Sequence, residues 1–88
     1  MSAATVELLR QRLAALQPES LAIADDSHRH AGHAGAREGG HYQVTIVAAA
    51  FTGHNTVARH RIVYAAAGDL MRGHIHALAI RAFAPGEV

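Results

Sequence analysis

The chain has 88 residues, with eight arginines and no lysine against seven acidic residues, eight histidines and no cysteine. Such a length makes a single domain, 1–88, which buries only about 60–65% of the surface its unfolded form exposes. A formal charge of +1 is far below the basic excess of a dedicated nucleic-acid binder, and the lack of cysteine excludes a disulfide framework, a thiolate nucleophile and an all-thiolate metal site.

From about Thr5 to Leu16, the apolar residues Val6, Leu9, Leu13 and Leu16 recur every three or four positions, which predicts an amphipathic first helix. Ser2 or Thr5 is the candidate cap. Pro18 ends the helix, because the residue before a proline is pushed out of helical geometry. Leu21 and Ile23 alternate with Ser20, Ala22 and Ala24, the pattern of a short strand, and Asp25-Asp26 turns the chain into water.

Ser27 to Gly40 holds four glycines and three histidines with almost nothing large and apolar, so 26–40 reads as a long loop of the kind that carries function. Tyr42, Val44 and Ile46 alternate with Gln43, Thr45 and Val47 as a second strand, antiparallel to the first. Ala48 to Phe51 is ambiguous. Phe51-Thr52-Gly53 breaks the strand, and Asn55 or Thr56 caps a second helix running to about Ala67, with Val57, Ile62 and Tyr64 as its apolar contacts. Gly68 stops that helix, Asp69 to Arg72 forms a further short helical turn, and Gly73 stops it in turn. Between about Ile75 and Phe83, Ala77, Ala79 and Arg81 alternate with His76, Leu78, Ile80 and Ala82 as the last strand. The order helix, strand, strand, helix, short helix, strand places helices on one face of a small three-stranded sheet, an α+β architecture.

The N-terminus lacks the basic start and apolar stretch of a signal peptide, and no apolar run approaches the roughly 20 residues that cross a bilayer. A cytoplasmic protein is the expectation. Eight histidines make the net charge climb below about pH 6.5, where unperturbed imidazoles protonate, and give the chain its metal-binding capacity.

Taken together, the segments Asp26-Ser27-His28-Arg29-His30-Ala31-Gly32-His33, His41-Tyr42, Phe51-Thr52-Gly53, Arg59-His60-Arg61-Ile62-Val63-Tyr64 and Ile75-His76-Ala77-Leu78-Ala79-Ile80 resemble the BolA family over nearly the whole chain. The most specific part is Phe-x-Gly followed at fixed distance by Arg-His-Arg-x-Val-Tyr, then by Ile-His-Ala-Leu. The resemblance implies a class II KH-like fold, consistent with the order α-β-β-α-α-β read above; a non-enzymatic role is expected separately, because no nucleophile with a base and an orienting acid is found. It also implies pairing with a monothiol glutaredoxin around a shared [2Fe-2S] cluster, in iron trafficking or iron–sulfur assembly. Some family members are instead DNA-binding regulators of transcription, stress response and cell shape. By position, the family's C-terminal histidine ligand is His76 and the second ligand comes from the loop, where this chain offers His30 or its neighbour His33. No cluster is expected in the isolated chain. A weak homodimer is a further expectation, and a membrane partner is not expected.

The chemistry of the residues is compatible with that implication. A [2Fe-2S] cluster takes four ligands, and imidazole can replace thiolate on one iron. This chain supplies imidazoles and no thiolate, so a glutaredoxin cysteine and its glutathione would complete the set. The ordinary alternatives are a packed His76 and a solvated loop for His28, His30 and His33. His28-Arg29-His30-Ala31-Gly32-His33 also has the His-x-His-x-x-His spacing of metallo-hydrolases, but Gly32 stands where their aspartate precedes the last histidine. Gly32-His33-Ala34-Gly35 spells the Gly-x-x-Gly of KH domains, yet lies between strands and not between helices. Arg59, His60, Arg61 and Arg72, with Arg81, form the best basic patch for phosphates or a protein partner; the alternative is that they cap carbonyls or meet Asp69. Ser27 has histidines near it but no placed third group, so no catalytic triad is read.

Overall fold

The computed structural model describes residues 2–26 and 40–88. Helix α1 (Ser2–Leu13) continues as a 3-10 turn over Ala14–Leu16, followed by strand β1 (Ser20–Asp25) and strand β2 (Gly40–Val47). A 3-10 turn at Ala49–Phe51 leads into helix α2 (Thr56–Ala67), a second 3-10 turn at Gly68–Met71, and strand β3 (Ile75–Phe83). The α+β order read from the sequence is therefore the order of the fold. The strands form one sheet in the order β1-β2-β3. β1 and β2 are antiparallel, whereas β2 and β3 are parallel, a pairing that requires a crossover, which α2 provides.

Leu9 and Leu13 of α1, Val63 and Ala67 of α2, Tyr42, Val44 and Ile46 of β2, and Ile75 and Leu78 of β3 join Phe51 and Leu70 in one buried cluster. Both helices thus cover the same sheet face. The alternation of β2 is as expected, with Tyr42, Val44 and Ile46 inward. The opposite face is built mostly of small side chains, among them the exposed Ala22, Ala24, Ala77 and Ala79.

Several local expectations are corrected. The first helix already starts at Ser2, so Thr5 is no cap; it lies buried inside the helix. Gln17, ahead of Pro18, leaves helical geometry by entering the left-handed region at φ 53° and ψ 55°, its N–H donating to the Ala14 carbonyl, a left-handed helix stop that proline favours by disallowing the α region before it. Asn55, not Thr56, caps α2, its side chain accepting from the Ala58 N–H. On α2 the core is reached by Val63 and Ala67, while Val57 and Tyr64 are 58% and 41% exposed. That helix carries apolar residues on every side, so spacing alone could not select the inward stripe.

The last strand departs from strict alternation at its start. Gly40 pairs with Ile75 but His41 pairs with Ala77, so His76 is an extra residue opposite the Gly40–His41 step, a β-bulge. Ile75 and Leu78 are consequently both buried at a spacing of three, with His76 and Ala77 both exposed between them. The sequence pattern had put His76 on the same face as Leu78; the bulge turns it to the outside.

Candidate metal centre

The bulge brings His76 against His41. Their ring centroids are 5.1 Å apart with planes inclined by 50°. His41 neighbours the inward Tyr42 on β2 and so points to the face away from the helices, where it is half-buried and His76 is exposed. An imidazole nitrogen binds a first-row metal at about 2.0–2.1 Å, and two rings on adjacent tetrahedral positions then have centroids roughly 5 Å apart. The observed separation is close to that value. No group of three or more His, Cys, Asp or Glu with metal-binding geometry occurs among the described residues. Two imidazoles alone do not complete a tetrahedral site, so a metal held at this pair would need further donors.

His28, His30 and His33 lie outside the described residues, and with them the expected contact of His30 or His33 with His76. The flanks of their segment are placed, however. The Asp26 N–H donates to the His41 carbonyl at 2.7 Å and the Gly40 N–H to the His74 carbonyl at 3.1 Å, so both flanking residues lie at the same end of the sheet as the imidazole pair. His41 escaped the sequence reading as a ligand. The signal was present, since alternation with Tyr42 already put it on the outer face, but only the bulge brings the last strand's histidine to meet it.

The basic residues of α2 do not form a single patch, because successive helical residues are splayed by about 100°. Arg59 turns inward to the end of β3, its side chain only 13% exposed. Its Nε donates to the His54 carbonyl at 2.7 Å, Nη1 to the Ala82 carbonyl at 3.1 Å, and Nη1 and Nη2 to the two carboxylate oxygens of Glu87 at 2.6 and 2.9 Å. That guanidinium is engaged as a structural clamp and is not free for a phosphate. Arg61 and Arg72 are exposed, and His60 is half-buried. Asp69 is bonded by Arg12 of α1, which donates to it at 2.8 Å and to the Ala67 carbonyl at 3.0 Å, while Arg72 adds a charge attraction to the same carboxylate. The Arg12 guanidinium holds the Asp69 carboxyl below its usual range. His60, Arg59 and Arg81 line a cleft of about 310 Å³ with Thr56, Ile80, Ala82 and Phe83.

The model of the family described as "BolA-like protein" matches residues 13–87. The chain belongs to the BolA-like family. The DNA-binding transcriptional regulator BolA of Escherichia coli (strain K12) is 33% identical to this BolA-like chain over 81 residues, 86% of this chain and 75% of that protein. BolA-like protein 1 of Mus musculus is 38% identical over 83% of this chain and 52% of its own length. Among solved structures, the BolA domain of SufE1 from Arabidopsis thaliana superposes with a TM-score of 0.80 at 41% identity, covering 91% of each chain. The chain spans only 21% of the full SufE-like protein 1 from that plant and about half of the animal relative. The BolA-like family is generally of regulator or adaptor type and includes transcription regulators. No helix among the described residues is long and apolar enough to cross a membrane.

The donor chemistry of the BolA-like chain fits one half of a [2Fe-2S] ligand set. Two imidazoles stand side by side on an accessible face, no cysteine is present, and imidazole is the ligand type that can replace thiolate on one iron.

Proposed function

We propose that this BolA-like chain is an adaptor that pairs with a monothiol glutaredoxin and co-ligates a bridging [2Fe-2S] cluster in iron trafficking or iron–sulfur assembly. The observation that carries this reading is the His41–His76 pair at 5.1 Å, turned outward by the bulge. His76 is the fixed donor, held by strand backbone on both sides. His41 is the second donor nearest to hand, with His30 and His33 as the alternatives from the adjoining segment. The cluster would supply transferable iron and sulfide. The chain's own part is to present neutral imidazoles, to keep thiolate chemistry on the partner's side, and to offer a small-residue sheet face against which a partner can lie. Because a protonated imidazole cannot ligate, cluster loss is expected on acidification.

The test is co-purification with a monothiol glutaredoxin under iron and glutathione, read by visible absorbance and circular dichroism. His76→Ala abolishes the mixed-cluster spectrum with the apo fold intact, and an unchanged spectrum rejects the assignment. Comparison of His41→Ala, His30→Ala and His33→Ala then identifies the second donor.

A second reading, a DNA-binding regulator, is supported by the name of the Escherichia coli relative and by the exposed Arg61, Arg72 and Arg81. Engagement of Arg59 by Glu87 removes one of its cations. Duplex binding at low salt with a steep salt slope would support this reading, and absent or flat binding would remove it.

A further inference from the structure

β3 ends the sheet among the described residues, so one of its edges faces away from β2. In a parallel pair, alternate residues turn both N–H and C=O to the neighbour. The Phe83 carbonyl accepts from the Ala48 N–H at the end of β2, so Ala77, Ala79, Arg81 and Phe83 face β2, while Leu78, Ile80 and Ala82 face outward. Two outward carbonyls are taken by side chains of α2: Leu78 by the Tyr64 hydroxyl at 3.4 Å and Ala82 by Arg59 at 3.1 Å. Among the described residues, no hydrogen bond reaches the Ile80 N–H or C=O from that side. The edge is therefore rich in donors, with three outward N–H groups at Leu78, Ile80 and Ala82.

The cleft of about 310 Å³ lies along this edge. Ile80, Arg81, Ala82 and Phe83 all line it although successive residues point to opposite faces, and Thr56, Arg59 and His60 of α2 form the other wall. A slot between an edge strand and a helix is the geometry in which extended peptides add to a sheet. The chain also shows which chemistry the edge accepts. One outward position further, the Ala84 N–H donates to the Glu87 carboxylate at 2.9 Å, the same carboxylate that pairs with Arg59. A carboxylate bridging an outward backbone N–H and a cation is thus already built in at the end of the strip, and Arg81 offers the same combination beside Ile80, with His60 across the cleft.

We propose that the outer edge of β3 from Leu78 to Ala82 is a docking strip for an extended acidic segment of a partner protein. The segment adds as a fourth strand and sets a carboxylate against Arg81 and His60. The centre of the strip, Ile80, lies four residues along β3 from His76, roughly 13 Å at the rise of a strand, and the strip does not depend on the metal-binding reading.

The test is titration of the nitrogen-15-labelled full chain with a seven-residue peptide of alternating valine and glutamate, blocked at both ends. Saturable amide shifts and slowed amide exchange are expected at Leu78, Ile80 and Ala82. Ile80→Pro removes an outward N–H and leaves the β2 ladder intact, so it abolishes binding. Arg81→Glu leaves the backbone unaltered and weakens binding by roughly tenfold or more, which keeps the test decisive should the proline variant not fold. Equal affinity for a valine–lysine peptide, unchanged affinity in Arg81→Glu, no saturable shift, or shifts centred on His41 and His76 would each overturn the proposal. A dimer of the chain alone that Ile80→Pro disperses would overturn it too, by giving the strip to a second copy.

Discussion

Arg59 in the first turn of α2 and Glu87 beyond β3 meet in a two-pronged ion pair, Nη1 to Oε1 at 2.6 Å and Nη2 to Oε2 at 2.9 Å. Since the same guanidinium also bonds the His54 and Ala82 carbonyls, one side chain ties together the entry to α2, the end of β3 and the tail. Replacing Glu87 by Ala leaves a largely covered guanidinium short of its partner and frees the Ala84 N–H. The expected result is a lower melting temperature and amide exchange at Ala84 and Glu87 faster by roughly tenfold or more, as the tail opens locally. Unchanged exchange at both would contradict the clamp.

Acid should open the same clamp. The hydrogen bonds from Arg59 and then from the Ala84 N–H lower the Glu87 carboxyl from 4.5 to about 2. A carboxyl whose folded value is depressed contributes stability that is present above its unfolded value and lost as pH falls toward the folded one. Stability from this pair therefore holds above 4.5 and declines between there and about 2, with Asp69 beside Arg12 adding a loss of the same sign. Thermal melts across that range should show a shallower acid slope in Glu87→Gln than in the parent chain; identical slopes would refute the assignment.

Phe51 is fully buried at the turn between β2 and α2. Phe51→Ala is expected to cost about 3–5 kcal/mol, measured by urea unfolding, and a loss below about 1 kcal/mol would mean that the site collapses to fill the space.

Gly68 sits at φ +59°, and a Cβ there would stand 3.1 Å from Arg12 Nη1. Gly68→Ala combines backbone strain with displacement of the Arg12 guanidinium from the Ala67 carbonyl and Asp69, so a destabilisation of about 1–2 kcal/mol is expected. Equal stability of the two proteins would show that the turn relaxes freely.

His76 is exposed on the bulge, so His76→Ala is expected to change folding stability by no more than about 0.5 kcal/mol. A large loss in urea unfolding would make the histidine a structural residue and remove the basis for reading cluster assays on that variant.

Much of this architecture was readable from local pattern. Val44 and Ile46 alternate with Gln43, Thr45 and Val47 and are buried as that alternation demands, Asn55 caps α2, and Leu9 and Leu13 fall on the inward stripe of α1. What escaped depended on partners distant in sequence. The outward aim of His76 follows from its register against β2, and the burial of Arg59 from a carboxylate 28 residues further on. Neither is encoded in the residues that flank it. The pair His41–His76 was half legible, because each ring's strand was identified but the extra residue that joins them was not.

The topology also governs how the chain is made. β2 is the middle strand, yet its second neighbour is the last strand of the chain. Until residues 75–83 leave the ribosome, Tyr42, Val44 and Ile46 can close only against α1, β1 and α2, and one side of β2 stays open to foreign strands. From the emergence of β2 until then the nascent protein carries an adhesive seam, and it is sealed only when the strand bearing His76 docks.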